Sequence, residues 1–274
     1  MLDAFVDWIW DTFFYYLNAF NIFLLTNVLG PMKQAYLNMP VVSTFVLFMG
    51  AGYIIGGIRS CLVVGSLILF IALSEYWDRT LITLYMATFA VGISAFSGII
   101  VGSLCAQNDF ASKTILSICD FFQTFPSFIY LIPVILLFGI TDTSVMIAAI
   151  AYASVPATRY TVEGLRSVPS SLHDAGAMSG VSKMQRWRLI DLPLALPHIM
   201  LGINQTVIFA LMMIVLGALI GTEDLGQLIM GSLSRPNGAG IGFTLGIFIS
   251  FICLAVDNLI RTWADERKKI LGIN

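Results

Sequence analysis

The chain has 274 residues, 58% apolar and only 11% charged, with 14 Lys and Arg against 16 Asp and Glu, and its mean hydropathy is +0.90. A soluble domain carries about 45–50% apolar and 25% charged residues, so this is an integral membrane protein, and its apolar content is spread too widely for one anchor on a large extramembrane domain. A net charge of −2 gives no reason to expect nucleic acid as a partner.

Residues 1–39 hold no Lys or Arg before Lys33, which argues against a secretory signal with its basic start. Asp3, Asp7 and Asp11 recur at helical spacing, while Phe5, Trp8, Ile9 and Tyr16 supply apolar and aromatic surface. This pattern predicts an amphipathic helix lying in a membrane interface. Seven apolar runs follow, at about 40–58, 60–75, 80–104, 114–139, 143–160, 195–220 and 240–260, each read as a span. Arg59 sets the first break, because a charge is cheaper at an interface than in mid-bilayer. The fold class expected is an all-α polytopic membrane bundle: an N-terminal interfacial region (1–39), a transmembrane domain (40–262) and a tail (263–274).

Lys and Arg set the orientation. With seven alternating spans, Arg59, Lys113, Arg159, Arg166, Lys183, Arg186, Arg188, Arg261, Arg267, Lys268 and Lys269 share one side, and only Lys33, Arg79 and Arg235 lie on the other. The richer side is read as cytoplasmic, which puts the N-terminus outside and the C-terminus inside.

Small residues recur four apart at Gly52/Gly56, Ser94/Gly98/Gly102, Gly217/Gly221 and Gly242/Gly246. Such spacing lets helices approach closely, either within one bundle or between two copies. Pro126, Pro133 and Pro156 fall inside apolar runs and predict kinks or breaks. Cys61, Cys105, Cys119 and Cys253 are scattered through apolar runs and read as small buried hydrophobes. His173 and His198, the two histidines of the chain, are too few for an imidazole metal site.

The longest polar stretch, residues 161–193, lies between the fifth and sixth spans. It reads as two short helices. Pro169 suits the first turn of one and Gly180 its C-terminal cap; Ser182 and Gln185 have capping-box spacing for the other, which Pro193 is expected to stop. Leu172, Ala175, Gly176 and Ser179 form a stripe of mostly small residues. Either a partner or the protein's own helices could pack against it.

Asp174-Ala175-Gly176, then Gly180 after three residues, then Ile190-Asp191-Leu192-Pro193 after nine more, resembles the EAA loop of permease subunits of binding-protein-dependent ABC importers. That loop reads E-A-A, three residues, G, nine residues, I, any residue, L-P; here Asp174 replaces Glu and Gly176 replaces Ala. The stretch from Asp120 to Gly139 and the run GALIGTEDLGQL from Gly217 to Leu228 are similar to the glycine betaine/proline subfamily. The resemblance extends over most of residues 40–262.

The resemblance implies an ATP-driven importer subunit for glycine betaine, proline betaine, choline or a related quaternary amine. Its partners would be a second copy of itself, two separate ATPase subunits docked on the loop, an extracytoplasmic solute-binding protein and the lipid bilayer. The loop residues implicated in coupling are Leu172, Asp174, Ala175, Gly176, Ser179, Gly180, Ile190, Leu192 and Pro193. No GxxxxGK[ST] phosphate loop is present, so this chain is expected to bind no cofactor and to be no enzyme, with ATP and Mg held by the partner ATPase. Gln123, Asn204 and Gln205 are polar groups deep in spans, and they are candidates either for the translocation path or for bonds between helices. An aromatic cage built from Phe121, Phe122, Phe125 and Tyr130 is not assigned. Asp120 and Asp257 are expected near cytoplasmic ends, solvated or paired with basic residues. Another cargo, such as an amino acid, would leave the loop unchanged. A passive channel or an intramembrane enzyme would not account for it.

Overall fold

The computed structural model describes residues 2–271, which are all-α with no strand among them. The aspartate face at Asp3, Asp7 and Asp11 lies outside the described side chains. Six segments are long and apolar enough to cross a membrane, and a seventh qualifies if one sharply bent pair counts as a single span. The polytopic helical bundle expected from the composition is the observed fold.

α1 (Leu2–Leu24) runs through a π-helical turn at Leu25–Leu29 into α2 (Gly30–Leu37). α3 (Val41–Ala72) folds back on itself at Gly56 and Gly57, where Gly57 has φ +65°. A Cβ on Gly52 would lie 3.0 Å from Cα of Cys61, and one on Gly65 would lie 3.1 Å from Cγ of Met49. Nine residues of straight helix would hold the first pair about 13 Å apart. The two predicted spans at 40–58 and 60–75 are therefore the arms of a hairpin, which turns at the glycines rather than at Arg59 because a positive φ costs glycine nothing.

α4 (Trp77–Cys105) is followed by α5 (Asp109–Thr124), started by Asn108, whose side chain accepts a hydrogen bond from the amide of Phe110 at 2.8 Å. The straight span expected at 114–139 is instead a bent pair of helices. After Phe125 and Pro126 the chain turns by 104° through a 3-10 segment (Ser127–Tyr130) into α6 (Leu131–Phe138). Proline disfavours helical backbone in the residue before it, and Phe125 is extended at ψ 137°. Pro133, in the first turn of α6, and Pro156, inside the unbroken α7 (Asp142–Arg166), terminate nothing. The chain then forms α8 (Ser170–Met178), α9 (Lys183–Arg186), α10 (Leu192–Gly217), α11 (Leu225–Leu233) and α12 (Ala239–Leu271).

α7 is the axis of the bundle. Ser94 Oγ donates to the carbonyl of Ile150 at 3.2 Å, and Gly98 and Gly102 meet Ala157 and Thr161, so α4 runs parallel to α7. α10 runs antiparallel on another side, where Gly217 meets Val145, Gly202 meets Tyr160, and Gly164 of α7 meets Ala195 and His198. α12 packs on α10 and on the second arm of α3, through Ser60 Oγ to Asn258 Oδ1 at 2.5 Å and Phe70 against Phe248 and Phe251. The small-residue spacings thus serve packing within the chain, except that Gly246 meets nothing within 4 Å and Gly221 caps a turn at φ +90°.

At the end opposite α8 and α9, a polar network ties the helix tips. Lys33 Nζ lies 3.1 Å from Glu223 and 3.9 Å from Asp142. Arg79 donates to the Glu223 carbonyl at 2.7 Å, and Tyr85 to Asp142 at 2.9 Å. Asn21 donates to the carbonyl of Phe138, and Tyr36 to Thr88. The α1–α2 helix therefore meets the same end of the bundle at positions about 18 Å apart along its axis, and it crosses that end instead of running down the side. Asp224, fully buried, caps α11 by accepting from the amide of Gln227 at 3.0 Å and from Thr222 Oγ1 at 3.1 Å.

Two predictions follow from this packing. A Cβ on Gly98 would sit 2.5 Å from Cβ of Ala157 and 2.9 Å from the backbone nitrogen of Thr158, so Gly98→Leu should cost at least about 1–3 kcal/mol. Thermal unfolding in detergent checks this, with Gly92→Leu, which meets nothing within 4 Å, as the near-neutral control. Burial, with repulsion from Asp142, pushes the Asp224 carboxyl up to about 6 from 3.8. The folded state thus holds this proton more tightly than the unfolded chain does. The resulting stability is fully present below about pH 4 and is lost as pH rises through 6. Asp224→Asn keeps a capping oxygen and removes the charge, so its melting temperature should exceed wild type at pH 7.5 and converge with it near pH 4.

Candidate functional site

The loop between α7 and α10 is built as a capped pair. α8 ends at Gly180, which takes φ +72° as a C-terminal cap requires. Ser182 and Gln185 form the expected capping box, with Gln185 N to Ser182 Oγ at 3.3 Å and Ser182 N to Gln185 Oε1 at 2.9 Å. Pro193 does not stop the second helix. α9 continues through a π-helical turn, Trp187–Asp191, straight into α10. Pro193 and Pro197 lack the amides that an α-helix needs there, and a wider turn just before them absorbs the mismatch.

The nine loop residues expected to couple divide into two groups. Leu172, Asp174, Ala175, Ser179 and Gly180 are exposed. Gly176 is buried, because Ile190 Cδ1 lies 3.1 Å from where its Cβ would be. Leu192 packs with Leu165, Ala195 and Ile199, and Pro193 is half-buried in the first turn of α10. The stripe thus serves both readings at once: Gly176 seats α8 on its own chain, and the residues beside it stay open. Met178 and Met184, 91% and 66% exposed, enlarge this surface. Sequence reasoning passed over both, although their flexible thioethers suit an adaptable contact.

Asp191, which fills the unspecified place in the loop pattern, is the other residue missed. Its carboxylate is buried and accepts from His173 Nε2 at 2.8 Å, while Arg186 Nε lies 3.4 Å from its second oxygen. One carboxylate at the root of α10 therefore holds α8 and α9 together. At the same end Arg166 pairs with Asp109 and donates to Ser112 Oγ, closing α5 against the end of α7. A cleft of about 600 Å³ separates α9 from the end of α4.

Of the three path candidates, Gln123 and Gln205 line one cavity of about 410 Å³ between α5, α7 and α10, together with Arg159, Tyr160, Glu163 and Phe209. Arg159 pairs with Asp120, bonds Glu163 at 3.0 Å through Nε and reaches Gln123 Oε1 at 3.3 Å. Asn204 points elsewhere: it is buried and donates to Asp257 Oδ1 at 2.5 Å, so it is a bond between α10 and α12 and not part of that cavity. Asp257 also pairs with Arg261 at 2.6 Å, and Asp120 pairs with Arg159, the pairing with basic residues expected of both. The aromatics left unassigned form a run of ring contacts from Phe121 through Phe122, Tyr130 and Tyr152 to Phe209, not a closed cage.

A polytopic all-helical bundle with one capped loop projecting from an end, and a polar cavity between the helices that carry it, is the architecture of a membrane transport subunit. The chain belongs to the family of binding-protein-dependent transport system inner membrane components, whose profile matches residues 98–269. It is 63% identical over 268 residues to the trimethylamine N-oxide transport system permease protein of Pelagibacter ubique (strain HTCC1062), covering 98% of this chain and 37% of that protein. With the protein of that description from Ruegeria pomeroyi it shares 41% over 258 residues, covering 94% of this chain and 39% of that one. The glycine betaine transport system permease protein of Bacillus subtilis (strain 168) is 30% identical over 270 residues, covering 98% of this chain and 94% of that protein. The chain thus spans under two fifths of the length of the first two relatives and nearly the whole length of the third.

Asp191→Ala leaves His173 without its hydrogen-bond acceptor and Arg186 without its ion-pair partner, and should loosen the loop by about 1–3 kcal/mol. Amide hydrogen exchange should accelerate in residues 170–186 and stay unchanged in α7. Unaltered protection of α8 would remove Asp191 from the role of tie.

Proposed function

We propose that this chain is the membrane-embedded permease subunit of an ATP-driven importer for small methylated amines, with trimethylamine N-oxide first among them and glycine betaine as its chemical neighbour. The loop built from α8 and α9 carries this reading. It is capped at both helices and pinned to the root of α10 by Asp191, yet it exposes Leu172, Ala175, Met178 and Ser179 to a partner. An exposed apolar surface at a fixed place on a membrane protein suits docking of a soluble subunit. The substrate class follows from the names of the relatives.

In this reading the loop faces the cytoplasm, where a separate ATPase binds ATP and Mg and docks on it, and two copies of the chain form the path. A solute-binding protein delivers cargo at the opposite end, beside Lys33, Arg79 and Glu223. The N-terminus lies outside and the C-terminus inside, an orientation that the distribution of Lys and Arg supports. The α1–α2 helix, which crosses the far end of the bundle, is the interfacial element, and 40–262 is the permease domain. The movement of the ATPase acts on α10 through the loop and alternates access to the path; any bias it supplies must come from different contacts in the two states.

The test is reconstitution with the ATPase and binding protein encoded beside this chain. Proteoliposomes should accumulate radiolabelled trimethylamine N-oxide only with ATP and loaded binding protein, and a cysteine in place of Ala175 should crosslink to the ATPase. Crosslinks confined to the permease, or uptake independent of ATP, would overturn the assignment.

A further inference from the structure

The cavity between α5, α7 and α10 has a chemistry that packing does not require. Gln205 lies on α10 with no hydrogen-bond partner among the described residues, although its neighbour Asn204, one step around the helix, is bonded to Asp257 at 2.5 Å. The Gln205 amide is half-buried and lines the cavity, where a polar solute can meet it. Gln123 gives its oxygen to Arg159 and leaves its amino group toward no partner among the described residues. Arg159 uses one terminal nitrogen and Nε on Asp120, Gln123 and Glu163, so its second terminal nitrogen remains a donor. The walls therefore offer three sets of N–H groups for an anionic oxygen.

The same walls also suit a cation. Arg159 is flanked by two carboxylates, Asp120 and Glu163, so one positive and two negative charges leave the cluster at −1. Phe209 lines the cavity, and its ring is stacked on Tyr152 with centroids 4.8 Å apart and planes 17° apart. Tyr152 thus covers one face of Phe209 and stiffens it. Tyr160 supplies a second ring. Methylated ammonium groups cannot donate hydrogen bonds and are held by aromatic faces and nearby negative charge. At about 410 Å³ the cavity is in the size range of small-molecule sites.

We propose that this cavity is a transit site within the permease for a methylated zwitterion, its ammonium held by Phe209, Tyr160 and Glu163 and its oxide or carboxylate by Gln123, Gln205 and Arg159. This rests on the proposed function and assigns a recognition step to this chain in addition to that of the binding protein. Such a site must be weak, since a tight one would trap the cargo.

The experiment uses the reconstituted complex with ATPase and binding protein, and reads two quantities for radiolabelled trimethylamine N-oxide and glycine betaine: uptake, and ATPase stimulation by loaded binding protein. Gln205→Ala and Phe209→Leu should each lower uptake about tenfold while stimulation stays within about twofold of wild type, and Phe209→Trp should restore uptake because it keeps an aromatic face. Gln205 makes no bond within the chain, so its variant tests the site even where Phe209→Leu disturbs packing. Wild-type uptake by Gln205→Ala, or stimulation that falls in step with uptake in both variants, would overturn the transit site. Absence of uptake of either solute by the wild-type complex would instead overturn the substrate class itself, and the transit site with it.

Discussion

The close approach of α7 to α4 on one side and α10 on another decides where everything else in the molecule sits. Lipid gives helices no hydrophobic reason to associate, so contact must come from backbones close enough to interlock. Here Gly98 and Gly102 of α4 meet Ala157 and Thr161, and Gly202 and Gly217 of α10 meet Tyr160 and Val145. With three helix axes fixed this closely, the side chains of α7 are positioned by backbone geometry. Arg159 and Glu163 then line a cavity with α5 and α10, and Arg166, two turns further on, reaches Asp109 and closes the bundle at its loop end.

The loop extends that rigidity in one direction only. Through Asp191, its two helices are tied to the root of α10, and the π-turn carries α9 into α10 without a break. Toward α4 there is an open cleft in place of packed side chains. α8 and α9 are therefore joined more directly to α10 than to α4. The π-turn preceding Pro193 and Pro197 is the natural place for the angle between loop and span to change, because backbone bonds there are already wider than those of an α-helix.

Composition and run length made the all-α bundle legible in the sequence, and the capping logic of Gly180, Ser182 and Gln185 was legible because those bonds are local. Failures came where one residue's conformation depends on distant packing. The run at 114–139 is apolar enough for a span, but the extended Phe125 before Pro126 turns the chain by 104°. Pro193 looked like a stop because a proline is one in an isolated helix, yet at the start of α10 its missing amide falls where the π-turn has already left the α-helical ladder. Asp191 gave no signal, since nothing local shows that His173, eighteen residues earlier, will lie 2.8 Å from it.

Asn204 and Gln205 illustrate the limit most directly. They are adjacent, chemically alike and equally deep in an apolar run, so hydropathy assigns both the same role. A step of one residue turns a helix by about 100°, which sends Asn204 toward α12 and Gln205 toward the cavity. The first gives its amino group to Asp257 and becomes a bond between helices. Gln205 finds only the cavity that it shares with Gln123 and Arg159. In a membrane bundle, therefore, depth marks the polar residues that need explaining, and whether each is already bonded within the chain separates those that hold helices together from those available to a solute.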